Sequence, residues 1–372
     1  MMKQRTYFAY GSNLNVEDWN RSFPQGPTHA EAFRAVGPAW LPDVRVAFTM
    51  ESFTRRGGVL DLLPWTGSAV PGMLYEVTEA GWKALEAKEG ASTAYQRVAC
   101  TALDEHGAEI LALTYIVRPE RRVDFVRPSD AYRDLVCEGF EQNELEFDHV
   151  LRAARNEPSE SGPGQVFVYD RLMRLEADHG LLVEHGLESA LLAEAPGRLM
   201  EVKEGPVMVL SKRPRSWVHG ELVRCRKLPA LLGALDMGEG FECFGRAHGV
   251  RRRAIVQVGM MDGHVRLAWT YLRTRAPRGA RVVLGGDWRL HRGIRRGFLE
   301  QLVQSYAQGD EAGLARALVA RQLFPPADEE RAVRELLLLA EALERQVVSE
   351  RELAQIVAGR SAGVGPQPHA LS

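Results

Sequence analysis

Three things are scarce in this chain, namely cysteine, long apolar runs and net charge, and each shortage removes a class of protein. The four cysteines, Cys100, Cys137, Cys225 and Cys243, are scattered over 372 residues. Their spacing suits neither a metal knuckle nor the dense disulfide framework of a small secreted domain. Four reduced, mostly buried thiols in a reducing compartment are therefore expected. The apolar run Tyr7 to Tyr10 behind Lys3 and Arg5 is too short for a signal-peptide core, and no later stretch approaches membrane-spanning length. A cytoplasmic protein with no membrane partner is expected. A formal net charge of −2 provides no basic field for nucleic acid or anionic lipid. Two local basic clusters, Arg251-Arg252-Arg253 and Arg292 to Arg296, are read as solvated faces without a function. The histidines recur at no metal-ligand spacing.

What the chain does have is enough apolar material for more than one core, 45% hydrophobic against 26% charged. The stretch Asn156-Glu157-Pro158-Ser159-Glu160-Ser161-Gly162-Pro163-Gly164 loses apolar periodicity and reads as a linker that closes a first domain, residues 1–156. Within it, strands are expected at Arg45–Thr49, Gly58–Leu63, Gly72–Val77, Arg97–Leu103 and Glu109–Val117, with helices at Glu79–Lys88 and about Ser129–Gly139. The pattern is α+β, built on a mainly antiparallel sheet or barrel. A second domain, 165–292, repeats the first. Gln165–Tyr169 corresponds to Thr6–Tyr10, and the strand from Gly72 with a helix ending at Glu89-Gly90 corresponds to the strand from Gly220 with a helix ending at Glu239-Gly240. The glycine-to-glutamate spacings are 17 and 19 positions. Residues 293–360 form a helical region by composition, with an apolar stripe Val333, Leu336, Leu337, Ala340, Leu343 and Val347 and a capping box at Ser349 and Glu352. It either packs as an appendage or docks a protein partner, and 361–372 reads as a disordered tail.

Chemistry is expected in two places. Tyr7-Phe8-Ala9-Tyr10-Gly11-Ser12-Asn13-Leu14 reads as a short buried strand breaking into a turn, which fans out backbone N–H groups as a nest for a carboxylate or oxyanion. An ordinary turn leaving a strand is the plainer reading. On the helix that follows Val77, Trp82, Leu85 and Glu89 share a face, so the Glu89 carboxylate points toward the core. Desolvation there would raise its pKa and make it a usable general base. The structural alternatives are a helix-end cap or a pair with Arg97, and Glu86 is a rival carboxylate. In the second copy Leu228, Leu231, Leu232, Leu235 and Glu239 form a stripe of the same kind.

Taken in order, Tyr7–Leu14, Arg56-Gly57-Gly58, Gly72–Val77, Glu89-Gly90 before Tyr95-Gln96-Arg97, and Pro128-Ser129 before Tyr132 resemble the gamma-glutamylcyclotransferase family over about residues 5–152. The resemblance implies a small mixed β-barrel with flanking helices, two tandem copies of it here, and conversion of a gamma-glutamyl amide or peptide to 5-oxoproline and a free amine. It assigns Glu89 as the catalytic acid/base and Tyr7, Tyr10, Gly11, Ser12, Asn13, Leu14 and Tyr132 as substrate-binding residues. No metal or organic cofactor is expected, since the substrate's own α-amine is the nucleophile and the enzyme supplies only a base, a carbonyl clamp and a grip. Ser12 as a covalent nucleophile lacks a surrounding elbow motif and a histidine partner.

The second copy departs from the pattern at Tyr169-Asp170-Arg171-Leu172, where Asp170 stands in the place of the motif glycine. A negative side chain there would block and repel a glutamyl carboxylate, with Arg171 expected to neutralise part of its charge. That copy is expected to be inactive despite Glu239. Two other functions stay open, a non-catalytic gamma-glutamyl-ligand-binding or regulatory protein and a hydrolase that releases glutamate.

Overall fold

The computed structural model describes residues 6–90, 93–174, 176–210, 216–246, 251–260, 263–283 and 286–291. The expected C-terminal helices and tail lie outside the described residues. Those that are described fall into two compact units, 6–164 with 241–246, and 165–240 with 251–291. The expected linker is therefore part of the first unit. Its polar composition reflects hydrogen bonding in place of apolar packing: buried Ser159 donates to the Val46 carbonyl at 2.7 Å, and Ser161 accepts from the Ala69 amide at 2.8 Å.

The first unit contains β1 (Thr6–Ala9), α1 (Val16–Ser22), α2 (His29–Ala32), β2 (Phe33–Ser52), β3 (Gly57–Val77), α3 (Glu79–Lys88), β4 (Tyr95–Leu103), β5 (Glu109–Val117), α4 (Asp130–Gln142) and α5 (Asp148–Ala154). Its five strands close into a barrel in the order β1-β3-β2-β4-β5. Short β1 makes the closure, antiparallel to β3 on one side and parallel to β5 at Tyr7 and Leu113 on the other. A side chain at Gly72 would run into the Ala9 carbonyl, so the missing Cβ is what lets β3 lie this close to β1. The core holds Phe8, Leu14, Trp19, Phe48, Leu74, Leu85 and Phe140. Two expected strands, Gly58–Leu63 and Gly72–Val77, are parts of one long β3, because the intervening Pro64 to Pro71 still pairs with β2 across a register shift.

The second unit contains β6 (Val166–Val168), α6 (Gly180–Glu184), β7 (Leu187–Pro196), β8 (Arg198–Val202), β9 (Gly205–Val209), β10 (Trp217–Cys225), α7 (Leu228–Glu239), β11 (Arg252–Met260), β12 (Val265–Leu272), β13 (Arg281–Val282) and α8 (Trp288–His291). Followed from β6, its barrel runs β6-β10-β7-β11-β12 and closes through parallel β6 and β12, the same circuit as the first. Details repeat with it. Thr114 Oγ1 donates to the Phe8 carbonyl at 2.9 Å, and Thr270 Oγ1 donates to that of Phe167 at 2.9 Å. Tyr10 donates to the Tyr115 carbonyl at 2.7 Å and Tyr169 to that of Tyr271 at 2.6 Å. Gly220 approaches the Val168 carbonyl as Gly72 approaches that of Ala9. Where the first unit has the long β2–β3 ribbon, the second splits off β8 and β9 into a separate sheet with β13.

Candidate functional site

The residues singled out in the sequence meet where β1 ends against the C-terminal end of α3. Thr78 caps α3 at its start by accepting from the Gly81 amide, and Gly90, at a φ of +53°, ends it in the left-handed region that favours glycine. Glu89 is the C-cap residue, between the last helical residue Lys88 and that turn. Its side chain is half-buried on the face carrying buried Trp82 and Leu85. Asn13 Nδ2 donates to Glu89 Oε1 at 2.7 Å and to the Tyr7 hydroxyl at 2.9 Å, tying the strand-end turn to the helix end across 76 residues. Asn13 is 4% exposed, and its Oδ1 has no hydrogen-bond partner among the described residues.

The backbone leaving β1 turns at once into a 3-10 helix, Ser12–Leu14. The Leu14 amide returns to the Gly11 carbonyl and that of Asn15 to Ser12, so the first two amides of the turn, Ser12 and Asn13, have no partner within it. A Cβ at Gly11 would meet only Leu60 Cδ1 at 3.8 Å, so no packing demands the glycine. Tyr132, capped into α4 by Ser129, is buried, and the Arg55 guanidinium lies 5.3 Å from its ring centre. Leu14 does not fit the expected role. It is fully buried against Gly139 of α4, so its side chain belongs to the core and offers a ligand no surface. Tyr10 is likewise committed, its hydroxyl donating to Tyr115.

Glu89 is electrostatically unusual. Burial pushes its carboxyl up, the Asn13 amide and the charges of Lys88 and Arg55 pull it back in part, and the Asp18 carboxylate pushes it further up. The negative end of the α3 dipole acts in the same upward direction. Around it Tyr7, Tyr10 and Tyr95 are raised well above the ordinary tyrosine value by burial, and Tyr115 and Tyr132 are pushed up to about 12. These hydroxyls therefore stay protonated near neutrality. Glu86, the rival, lies outside: it is exposed and accepts from Arg97 at 2.6 Å. The same pair removes Arg97 as the partner of Glu89.

Sequence reasoning missed the layer behind Glu89. Asp18 on α1 is buried and accepts from both Arg55 nitrogens at 2.7 Å and from Lys88 Nζ at 2.8 Å. The only local signal was the Asn15 cap of a helix with acids in its first turn. Cysteines take no part. Burial pushes Cys100 and Cys225 up to about 12 and Cys137 to about 11, which leaves inert thiols. Among the described residues, no group of three or more His, Cys, Asp or Glu is arranged to hold a metal ion.

The second unit places Glu239 as the first places Glu89, at the end of α7 before Gly240 with φ +67°. Equivalence continues through Asp236 and Arg253, which pair at 3.1 Å as Glu86 and Arg97 do. Counting back along β11, Arg251 takes the place of Tyr95, and Asp170 takes that of Gly11. The two substitutions are coupled. Arg251 lies 2.8 Å from Glu239 Oε1 and 3.3 Å from Asp170 Oδ2, and it donates to the Pro206 carbonyl at 2.6 Å. The expectation that Arg171 neutralises Asp170 is corrected: Arg171 pairs with Asp178 at 3.0 Å. The expectation of a solvated Arg251–Arg253 face is corrected too, since these residues are 8%, 8% and 1% exposed. Asp170 and Glu239 hold Arg251 inside the unit, and Asp236 holds Arg253. A cavity of about 840 Å³ opens over Asp170, Glu239 and Arg251.

The family model described as gamma-glutamyl cyclotransferase, AIG2-like, matches residues 7–134 and 166–290, and the chain belongs to that family. Gamma-glutamylcyclotransferases of Bos taurus and Homo sapiens are each 26% identical to it over 159 residues, which is 41% of this chain and 79% of theirs. Among solved structures, a gamma-glutamyl cyclotransferase matches with 23% identity and a TM-score of 0.35 over 42% of this chain and 89% of its own. YkqA from Bacillus subtilis matches with 15% identity and a TM-score of 0.31 over 73% of this chain and 87% of its own. Family and relatives together indicate activity of the gamma-glutamylcyclotransferase type. Among the described residues no helix is long and apolar enough to cross a membrane.

Proposed function

We propose that the first unit is a gamma-glutamyl cyclotransferase with Glu89 as its general acid/base. The observation that carries this reading is the 2.7 Å contact between Asn13 and Glu89, which joins the anion-binding turn and the base in one site. In the reaction, Glu89 takes a proton from the α-ammonium of the gamma-glutamyl group. The freed amine attacks the γ-carbonyl carbon and closes a five-membered ring, and the charge that forms on the oxygen is met by the Ser12 and Asn13 amides. Glu89 passes that proton to the departing nitrogen as the amide C–N bond breaks, then takes the second proton from the ring nitrogen, giving 5-oxoproline, and hands it to the released amine, which leaves as an ammonium. Buried Asn13 Oδ1 is placed to accept from the substrate's ammonium, and Tyr7, Gly11 and Tyr132 complete the pocket. A base whose pKa is raised toward neutrality suits this double transfer. In the second unit, Arg251 engages Glu239, and Asp170 takes the place of the motif glycine, which supports an inactive copy.

The test is mass-spectrometric detection of 5-oxoproline from a panel of gamma-glutamyl amino acids, peptides and amines, with wild type, Glu89→Gln and Glu239→Gln compared. Product from wild type and from Glu239→Gln, and none from Glu89→Gln, is expected. Release of glutamate in place of 5-oxoproline would establish the hydrolase instead. No turnover of any panel member would overturn the enzyme reading.

A further inference from the structure

Behind Glu89 lies a compact ion triad that the reaction above does not use. Asp18 sits in the first turn of α1, where its own amide donates to the Asn15 cap at 2.9 Å. Its two oxygens take the Arg55 fork at 2.7 Å each, and one of them also takes Lys88 at 2.8 Å. Burial alone would push the Asp18 carboxyl up, but Arg55 and Lys88 outweigh it and hold it below the ordinary value. Both cations are tied down elsewhere as well. Lys88 lies 5.4 Å from the ring centre of Trp19 with its side chain 9% exposed, and Arg55 sits over Tyr132. Lys88 directly precedes Glu89 in the chain. Two cations and one anion are thus fixed beside a carboxylate that is itself removed from most of the solvent.

We propose that Asp18 is a positioning residue: by holding Lys88 and Arg55 in one triad next to Glu89, it fixes the charge that Glu89 experiences and so sets the pH range in which the site works. Beyond the triad, the exposed Glu86–Arg97 pair lies close by and balances its own charge, and the tyrosines and Asn13 around Glu89 are neutral. From β1 and its turn come Tyr7, Tyr10 and Asn13, from β4 Tyr95, from β5 Tyr115 and from α4 Tyr132. Lys88, Arg55 and Asp18 are the charges that act most strongly on Glu89, and together they carry a net charge of +1. With both cations and no Asp18, Glu89 would titrate at a lower pH than it does now. With less positive charge beside it, it would titrate at a higher pH. The role of Glu89 as base rests on the function proposed above, whereas its titration does not.

Two readouts separate the two ideas. Glutamate labelled at the side-chain carboxyl carbon, with the Glu89 signal assigned by its absence in Glu89→Gln, reports the titration of Glu89 by NMR in the full chain. The pH dependence of kcat/KM for 5-oxoproline formation reports its use. Lys88→Met, which leaves the Asp18–Arg55 fork intact, is expected to move the Glu89 midpoint up by about one pH unit. Asp18→Asn is expected to move it down by a similar amount, and the acidic limb of the rate profile should follow in each case. A purely structural role would lower the rate equally at every pH and leave the midpoint in place, which overturns the proposal. If Asp18→Asn fails to fold, Lys88→Met alone decides it. Absence of 5-oxoproline from wild type sinks the enzyme reading, and the NMR midpoints still decide the charge proposal.

Discussion

Glu89 is held in a state that costs the fold something, and under the proposed function that state is what suits it to act as a base. Its folded-state pKa is raised from the ordinary 4.5, so the folded chain binds this proton more tightly than the unfolded chain does. The stability tied to it is fully present below 4.5 and is lost as pH rises through the folded value. Glu89→Gln is therefore expected to lower turnover by about 10²- to 10⁴-fold. Its melting temperature near neutral pH should equal or exceed that of wild type, a combination that calorimetry and a product assay check together. His149 has the opposite sign. Burial, with Arg152 adding to it, pulls its pKa down from 6.5 to about 3. Between those values the unfolded chain takes a proton that the folded one refuses, so stability falls with pH there. His149→Leu is expected to flatten the decline in denaturant midpoint between pH 6 and pH 4, and an unchanged slope would argue against this cause. At this level the sequence was partly legible. A glutamate on the apolar face of a helix could be picked out by spacing alone, whereas Asp18 looked like any acid in a first helical turn.

Strands and helices tell a similar story with clearer limits. Helix α3 was read to the residue because its cap, its apolar face and its terminal glycine are all local signals. Helix α1, seven residues long, was not, since so short a segment depends on docking and not on its own propensity. Close approach of β3 to β1 depends on Gly72, and of β10 to β6 on Gly220. Gly72→Ala and Gly220→Ala should each destabilise their own unit by about 1–3 kcal/mol, because the new methyl group meets a backbone carbonyl that cannot rotate away. Urea unfolding followed through each barrel would show it. Just before β11, Arg251 lies between Asp170 and Glu239, side chains only 8%, 13% and 18% exposed. Arg251→Met is expected to cost about 3–5 kcal/mol, because two carboxylates are then left together without a counterion. A loss below about 1 kcal/mol would mean that solvent screens the trio.

Across the whole chain, the same barrel circuit serves two different ends. One copy keeps a glycine and a tyrosine at the positions where the other carries Asp170 and Arg251. That exchange converts a turn beside a glutamate into an internal ion cluster, with the barrel circuit kept. The duplication was readable from Gly72 and Gly220 and from two Glu-Gly helix ends, since close approach and helix termination leave the same residue behind wherever they occur. The mutual pairing of Asp170 and Arg251 was not readable, being a contact across 81 residues.

Local order, then, is written in the sequence: strand and helix periodicity, caps, the glycines at turns and crossings, and a carboxylate aimed inward are all set by residues within a few positions of one another. Charge pairing is not. Whether Glu89 meets Asn13 or Arg97, and whether Asp170 meets Arg171 or Arg251, depends on barrel closure and strand register. These bring side chains from distant segments within hydrogen-bonding range, and a shift of one residue would send each to the opposite face.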